Sequence, residues 1–153
     1  MTSHERAELV SRYRRGARAL LDALAAIPDA ALDRTAADGG WSPRSIAHHV
    51  ADAELTGAAR LRRMIAEEAP RISPYDPDVY AARLHYQRPL AASLSLISAL
   101  TESNAELLDS LSDAEWVREG VHEERGAYSV ETWLTVYADH CRAHSEQVAG
   151  TVS

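Results

Sequence analysis

Proline and glycine cut this 153-residue chain into long stretches whose apolar residues recur with helical period. The first stretch runs from about Glu5 to Ala26, where Leu9, Tyr13, Ala17, Leu20, Leu21 and Leu24 share a face. Thr2 with Glu5 supplies a capping box at its start, and Pro28 and the Asp38-Gly39-Gly40 loop follow its end. A second helix opens at Ser42, a good N-cap, with Pro43 at the first helical position and Trp41 just outside as a staple residue. It reaches about Glu68, before Pro70, and Pro74 and Pro77 then mark a long connection. A third helical region spans about Asp78 to Ser110, kinked or split at Pro89, and Ser112 with Glu115 caps a short turn around Trp116. A Gly-flanked stretch from Gly120 to Gly126 precedes a fourth helix, from near Ser129 to about Ala149, which Gly150 stops. There is no internal repeat, no low-complexity tract and no strand-like alternation longer than a few residues. Four amphipathic helices with one long crossover between the second and third predict an all-α four-helix bundle, a single domain over residues 1–153.

Composition narrows the partners. The 28 alanines and 16 arginines, with no lysine, favour helix. A formal charge of −7 argues against nucleic acid, which needs a basic face, and against an anionic membrane surface. Cys141 is the single cysteine, so there is no internal disulfide framework and a reducing compartment is expected. No apolar run approaches the roughly 20 residues of a membrane span. The opening Met1-Thr2-Ser3-His4-Glu5 is polar and lacks an apolar signal core, so a cytoplasmic protein is expected.

Seven histidines raise the question of a metal. On the fourth helix His140 and His144 stand four apart, on the face that carries Trp133, Tyr137, Cys141 and Val148. On the second helix the apolar stripe is Ile46, Val50, Ala53, Gly57, Leu61 and Met64. His49 sits in that stripe, and His48 falls about one hundred degrees away on its flank. Three imidazoles converging from two helices would make a half-open coordination sphere suited to Zn²⁺, Ni²⁺ or Fe²⁺. Spacing alone weighs this about evenly against three core histidines with satisfied hydrogen bonds.

The segments Trp41-Ser42-Pro43-Arg44 and His48-His49-Val50-Ala51-Asp52-Ala53-Glu54 resemble the second-helix signature of the DinB/YfiT-like superfamily. There a Trp-Ser/Thr opening precedes the first ligand histidine by eight residues. Tyr137 to Gln147 is similar to the last-helix motif of that family, His-x-x-x-His with a nearby Gln, and Pro70 to Asp76 resembles its connection. The likeness covers the chain from about Arg34 to its end. It departs at Ser45 and Thr132, where glutamates would stand. The resemblance implies a bundle holding one divalent ion, Ni²⁺ or Zn²⁺, on His49, His140 and His144, and often a homodimer. Fe²⁺ and Mn²⁺ are the further candidate ions. Members are described as metal-dependent hydrolases, or they use bacillithiol or mycothiol as a co-substrate.

A three-histidine ion can lower the pKa of bound water for hydrolysis or stabilise a bound thiolate for transfer to a small-molecule substrate. Thiol S-transfer is the favoured expectation, from family behaviour. Hydrolysis by metal-bound hydroxide is the alternative, and a non-catalytic bundle with a structural or vestigial metal is the reading from another class. Asp52, three residues past His49, is a candidate base, weighed against a solvated flank residue. Tyr137 is a candidate catalytic hydroxyl, and Arg60 a candidate contact for an anionic thiol. Glu54 and Asp139 read as exposed groups or as partners that orient an imidazole, and Gln147 as a histidine partner or a helix cap. Cys141 reads as a buried, inert thiol, His4 and His85 as exposed, and His122 as an exposed loop residue, weighed against one that reaches the bundle mouth.

Overall fold

The computed structural model describes residues 1–35 and 39–151, so Asp38 of the expected first loop lies outside the described residues. Four long helices form the bundle: α1 (Ser3–Ala25), α2 (Pro43–Ala66), α4 (Ala91–Asp109) and α6 (Val130–Gly150). Their starts follow from side chains that satisfy otherwise orphaned backbone donors. The Glu5 amide donates to Thr2 Oγ1 at 3.2 Å while the Thr2 amide donates to the Glu5 carboxylate, closing the capping box. Ser42 accepts the Ser45 amide at 3.3 Å, and Ser129 accepts the Thr132 amide at 3.1 Å. Helix α1 packs on α4 and α6, and α2 packs on the same two, so α1 and α2 face each other across the bundle diagonal.

The crossover between α2 and α4 holds the short strand β1 (Arg71–Ile72) and helix α3 (Pro77–Arg83), and Pro89 separates α3 from α4. After α4 come the one-turn α5 (Asp113–Trp116), β2 (Glu119–His122) and β3 (Gly126–Ser129). The stretch read from sequence as lacking strands is therefore a hairpin. Strands β2 and β3 pair antiparallel, and β1 adds parallel to β2 with Ile72 opposite His122. Alternation was invisible because the inward positions of β2 are Gly120 and His122, not β-branched residues. The partner strand is two residues long and lies some fifty positions away. Gly126, at φ +74°, supplies the left-handed turn residue that closes the hairpin.

Two apolar clusters fill the bundle. One gathers Tyr13, Leu61, Met64, Trp133 and Leu134, and the other Leu20, Leu24, Ile46, Val50, Ile97 and Val148. Glu54, wholly buried, joins them. It accepts the hydroxyl of Tyr13 from the first cluster and, at 3.6 Å, the thiol of Cys141 from the second. Among the described residues no helix is long and apolar enough to cross a membrane.

Helices α2 and α6 meet closely because position 57 has no side chain. Trp133 Nε1 donates to the Gly57 carbonyl at 2.9 Å, and Tyr137, stacked on Trp133, donates its hydroxyl to the Ala53 carbonyl at 3.2 Å. A Cβ at Gly57 would stand 2.4 Å from the Tyr137 ring and hydroxyl. Alanine gains about 1 kcal/mol of helix propensity over glycine, but overpacking a rigid ring costs about 1–3 kcal/mol or more, so the clash wins. Gly57→Ala is expected to lower the thermal melting midpoint by several degrees in circular dichroism and to disturb the near-ultraviolet Tyr/Trp signal. An unchanged or higher midpoint would contradict this packing.

Candidate metal centre

His49 on α2 and His140 and His144 on α6 meet at one side of the bundle. The ring centroids are 5.4 Å apart for His49–His140, 4.9 Å for His49–His144 and 4.7 Å for His140–His144. One ring nitrogen of each lies within 4.8 Å of the other two. His49 is buried and the other two are half-buried. Trp41 packs edge-on against the His49 ring at 4.7 Å, so the residue that precedes the helix cap also orients this imidazole. His144 Nδ1 is 2.9 Å from Gln147 Oε1, an acceptor that keeps the proton on Nδ1 and leaves the Nε2 lone pair free. His49 Nδ1 and His140 Nδ1 are buried with no hydrogen-bond partner among the described residues.

Burial first, then the charge of neighbouring imidazoles, pushes His49 down to about 4 and His140 down to about 3. Burial lowers His144 too, opposed by its bond to Gln147. The three rings are therefore neutral at pH 7, the state in which nitrogen can bind a cation. Orphaned buried nitrogens beside converging neutral imidazoles fit a divalent ion of borderline softness such as Zn²⁺ or Ni²⁺.

The cluster borders a cavity of ≈ 340 Å³ shared by His49, His140, Tyr137, Arg60, Tyr75 and His122 among others. Two residues expected near the histidines, Tyr137 and Arg60, line it. Tyr137 is buried, and its proton is engaged by the Ala53 carbonyl. Arg60 donates to the Ser73 carbonyl at 2.6 Å. Asp52 is not brought into the cavity. It is half-buried on the adjoining face of α2 and accepts the Tyr86 hydroxyl at 2.7 Å.

Three expectations need correction. His48 is not a residue of the flank: it is completely buried against α4, between Ser93 Oγ at 2.8 Å and the Arg88 carbonyl at 3.0 Å. A helix packed on two neighbours has two inward stripes, and the second one catches His48. Glu54 is not exposed, for the same reason. Burial outweighs its hydrogen bonds from Tyr13 and Cys141 and raises its carboxyl to about 7. His122 is buried rather than exposed on a loop, because strand β2 turns it inward against Tyr128. Of its two readings, the one at the mouth of the bundle is where it lies, on the lining of the cavity. Asp139 lies on the outer face, paired with Arg12 and Arg142. Cys141 is buried, with its thiol pushed well up by burial and the Glu54 carboxylate, which is the environment of an unreactive thiol. His4 and His85 are exposed. Tyr75 of the crossover and Arg125 of the hairpin turn also line the cavity, and nothing in their local sequence pointed there.

The sequence model of the DinB superfamily matches residues 12–148. The chain belongs to that superfamily. A candidate metal-dependent hydrolase of Oceanobacillus iheyensis is 38% identical over 113 residues, which cover 74% of this chain and 66% of that one. The chain thus spans just under two thirds of the length of that curated relative. Among solved structures, the DinB fold here is similar to YfiT of Bacillus subtilis, a candidate metal-dependent hydrolase with an unusual four-helix bundle topology. The TM-score is 0.90 at 24% identity, covering 97% of this chain and 86% of YfiT. A mycothiol-dependent maleylpyruvate isomerase is similar at TM-score 0.76 and 18% identity, covering 100% of this chain and 65% of that one.

In this DinB chain the depressed histidines set a pH dependence of folding. The unfolded chain protonates histidine near 6.5, whereas folded His49 and His140 stay neutral to about 4 and 3. Their contribution is complete above about pH 6.5 and is lost as pH falls below it. Glu54 acts in the opposite sense. Its carboxyl, raised to about 7, favours the fold most below 4.5 and loses that contribution as pH rises through 7. Two histidines against one glutamate leave a net loss on acidification. Stability of the metal-free protein is expected to fall between pH 6.5 and 4.5 by about 1.4 kcal/mol per pH unit for each unmatched proton. Denaturant titrations should show this slope, steeper in Glu54→Gln and abolished or reversed in His49→Ala/His140→Ala, where Glu54 is left to act in the opposite sense. A slope unaffected by the histidine substitutions would refute the assignment.

Proposed function

We propose that this chain is a divalent-metal enzyme acting on a small molecule in the cytoplasm, with His49, His140 and His144 holding one Ni²⁺ or Zn²⁺. The observation that carries the reading is the convergence of three neutral imidazoles beside a cavity that His49 and His140 line, these two with a buried nitrogen that has no partner among the described residues. When bound, the ion lowers the pKa of a thiol or water that binds it and supplies an activated nucleophile near neutral pH. The side chains do the remainder. Gln147 fixes the tautomer of His144, and Trp41 braces His49. Tyr137 forms the cavity wall and, with its proton held by Ala53, offers a substrate an acceptor oxygen. Arg60 meets an anionic part of the co-substrate at the same wall. Asp52 acts through Tyr86, holding the crossover against α2.

Activation of a low-molecular-weight thiol such as bacillithiol or mycothiol, for S-transfer to an electrophile, is the first reading. The fold shared with a mycothiol-dependent isomerase supports it. Hydrolysis is the second reading, favoured by the name of the Oceanobacillus relative. A homodimer belongs to the same family-based reading.

Mass spectrometry of untagged protein is expected to find about one divalent ion per chain, lost in His49→Ala, His140→Ala and His144→Ala and kept in His48→Gln. A chain that takes up no Ni²⁺ or Zn²⁺ would remove the enzyme reading. Chelation should abolish turnover with only a small fall in melting temperature; a large fall would make the ion a structural staple. Consumption of an electrophile with bacillithiol but not with water selects S-transfer, and the reverse selects hydrolysis.

A further inference from the structure

The cavity beside the histidines is basic in an acidic protein. The chain carries a formal charge of −7, yet Arg60 of α2 and Arg125 of the β2–β3 turn line the same space of ≈ 340 Å³ as His49 and His140. Among the described residues neither arginine forms an ion pair, and Arg125 makes no hydrogen bond. Arg60 gives one donor to the Ser73 carbonyl and lies 5.7 Å over the Tyr75 ring, which aims its guanidinium along the cavity wall. Both charges act on the phenol of Tyr128, and that of Arg60 also on the phenol of Tyr137, so they face a common space. Among the described residues Glu124 is the one carboxylate on the lining, and it pairs with neither arginine. The imidazoles add no negative charge. In the cavity of ≈ 410 Å³ between α1 and α4, by contrast, Arg14 is closed by Glu102 and Asp109, each at 2.9 Å, and Arg15 by Glu8, which leaves Arg18 alone without an ion pair among the described residues.

Guanidinium groups free of carboxylate partners bind carboxylate and phosphate heads through paired charge-assisted hydrogen bonds, and a partly enclosed wall strengthens the attraction. The volume lies within the range of sites for small organic molecules. We propose that this cavity binds a small organic anion, its carboxylate or phosphate head on Arg60 and Arg125 and its apolar body against Tyr75 and Tyr137. Its reacting end then faces the histidine cluster, and this last placement rests on the metal reading given above. The class excludes neutral substrates of the same shape. It assigns Arg125, contributed by the hairpin rather than by the bundle, a part in choosing the substrate.

The test is isothermal titration of the full-length protein with benzoate, phenyl phosphate and the neutral benzamide, as purified and again after chelation. At least one anion is expected to bind about tenfold more tightly than benzamide in both forms, the usual worth of one charge-assisted contact. A benzoate preference marks a carboxylate head, and a phenyl phosphate preference a phosphate head. Arg60→Gln and Arg125→Gln should each erase about a tenfold share of that preference while metal content is retained. Arg125 sits on an exposed turn, so Arg125→Gln decides the matter even if Arg60→Gln folds poorly. Failure of both anions to outbind benzamide, or a preference that survives in the double variant, overturns the proposal. An intact preference in a chain that binds no metal defeats the metal reading alone, whereas metal uptake without preference defeats this inference alone.

Discussion

A carboxyl group buried where four helices meet sets the conditions for everything around it. Glu54 of α2 accepts the hydroxyl of Tyr13 from α1 and the thiol of Cys141 from α6. The Tyr13 oxygen accepts Asn104 Nδ2 of α4 at 3.2 Å, and Asn104 Oδ1 accepts Arg62 at 2.6 Å on the way back to α2. Leaving such a group unpartnered costs several kcal/mol, so the network tolerates little sliding of any helix against the others. Apolar packing alone would accept several registers of four alanine-rich helices. One connected set of hydrogen bonds selects among them.

That register places the histidines. His49 lies five residues before Glu54 on α2, and His140 immediately precedes Cys141 on α6. An oxygen of Glu54, a ring nitrogen of His140 and the Cys141 sulfur lie within 4.8 Å of one another. The glutamate that fixes the helices thus also fixes the distance between the two histidine-bearing elements. Gly57 lets Tyr137 lie across α2 from the other side, completing the vise in which His49 and His140 are held. The electrostatic outcome follows from burial. Imidazoles removed from water stay neutral, and neutral imidazoles are ligands or hydrogen-bond partners rather than surface charges.

The small sheet plays a different part. It adds Ile72 and Tyr128 to the first apolar cluster, and it also carries His122 and Arg125 over the open side of the histidine cluster, while the crossover beside it carries Tyr75. The bundle therefore supplies rigid chemistry, and the connections supply the wall that a ligand would meet. This division is common where function sits on loops anchored by a stiff scaffold. It explains why the basic character of the cavity is independent of the strongly acidic balance of the whole chain.

Much of this was legible in the residues. Capping at Thr2, Ser42 and Ser129, the breaks at Pro28, Pro70 and Pro89, and the stripe through Ile46, His49 and Ala53 are local, and local rules of period and backbone bonding determine them. The i,i+4 pair His140 and His144 is local as well, so a histidine-bearing face on α6 followed from spacing alone. What only the tertiary structure decided is which other faces close. The burial of His48 and Glu54, the tie between Asp52 and Tyr86, and the pairing of β1 with β2 depend on neighbours 34 to 87 residues away. A helix records in its own sequence that it has an apolar side. How wide that side is, and which polar groups it must also shelter, is set by how many partners surround it, and that is a property of the packed bundle.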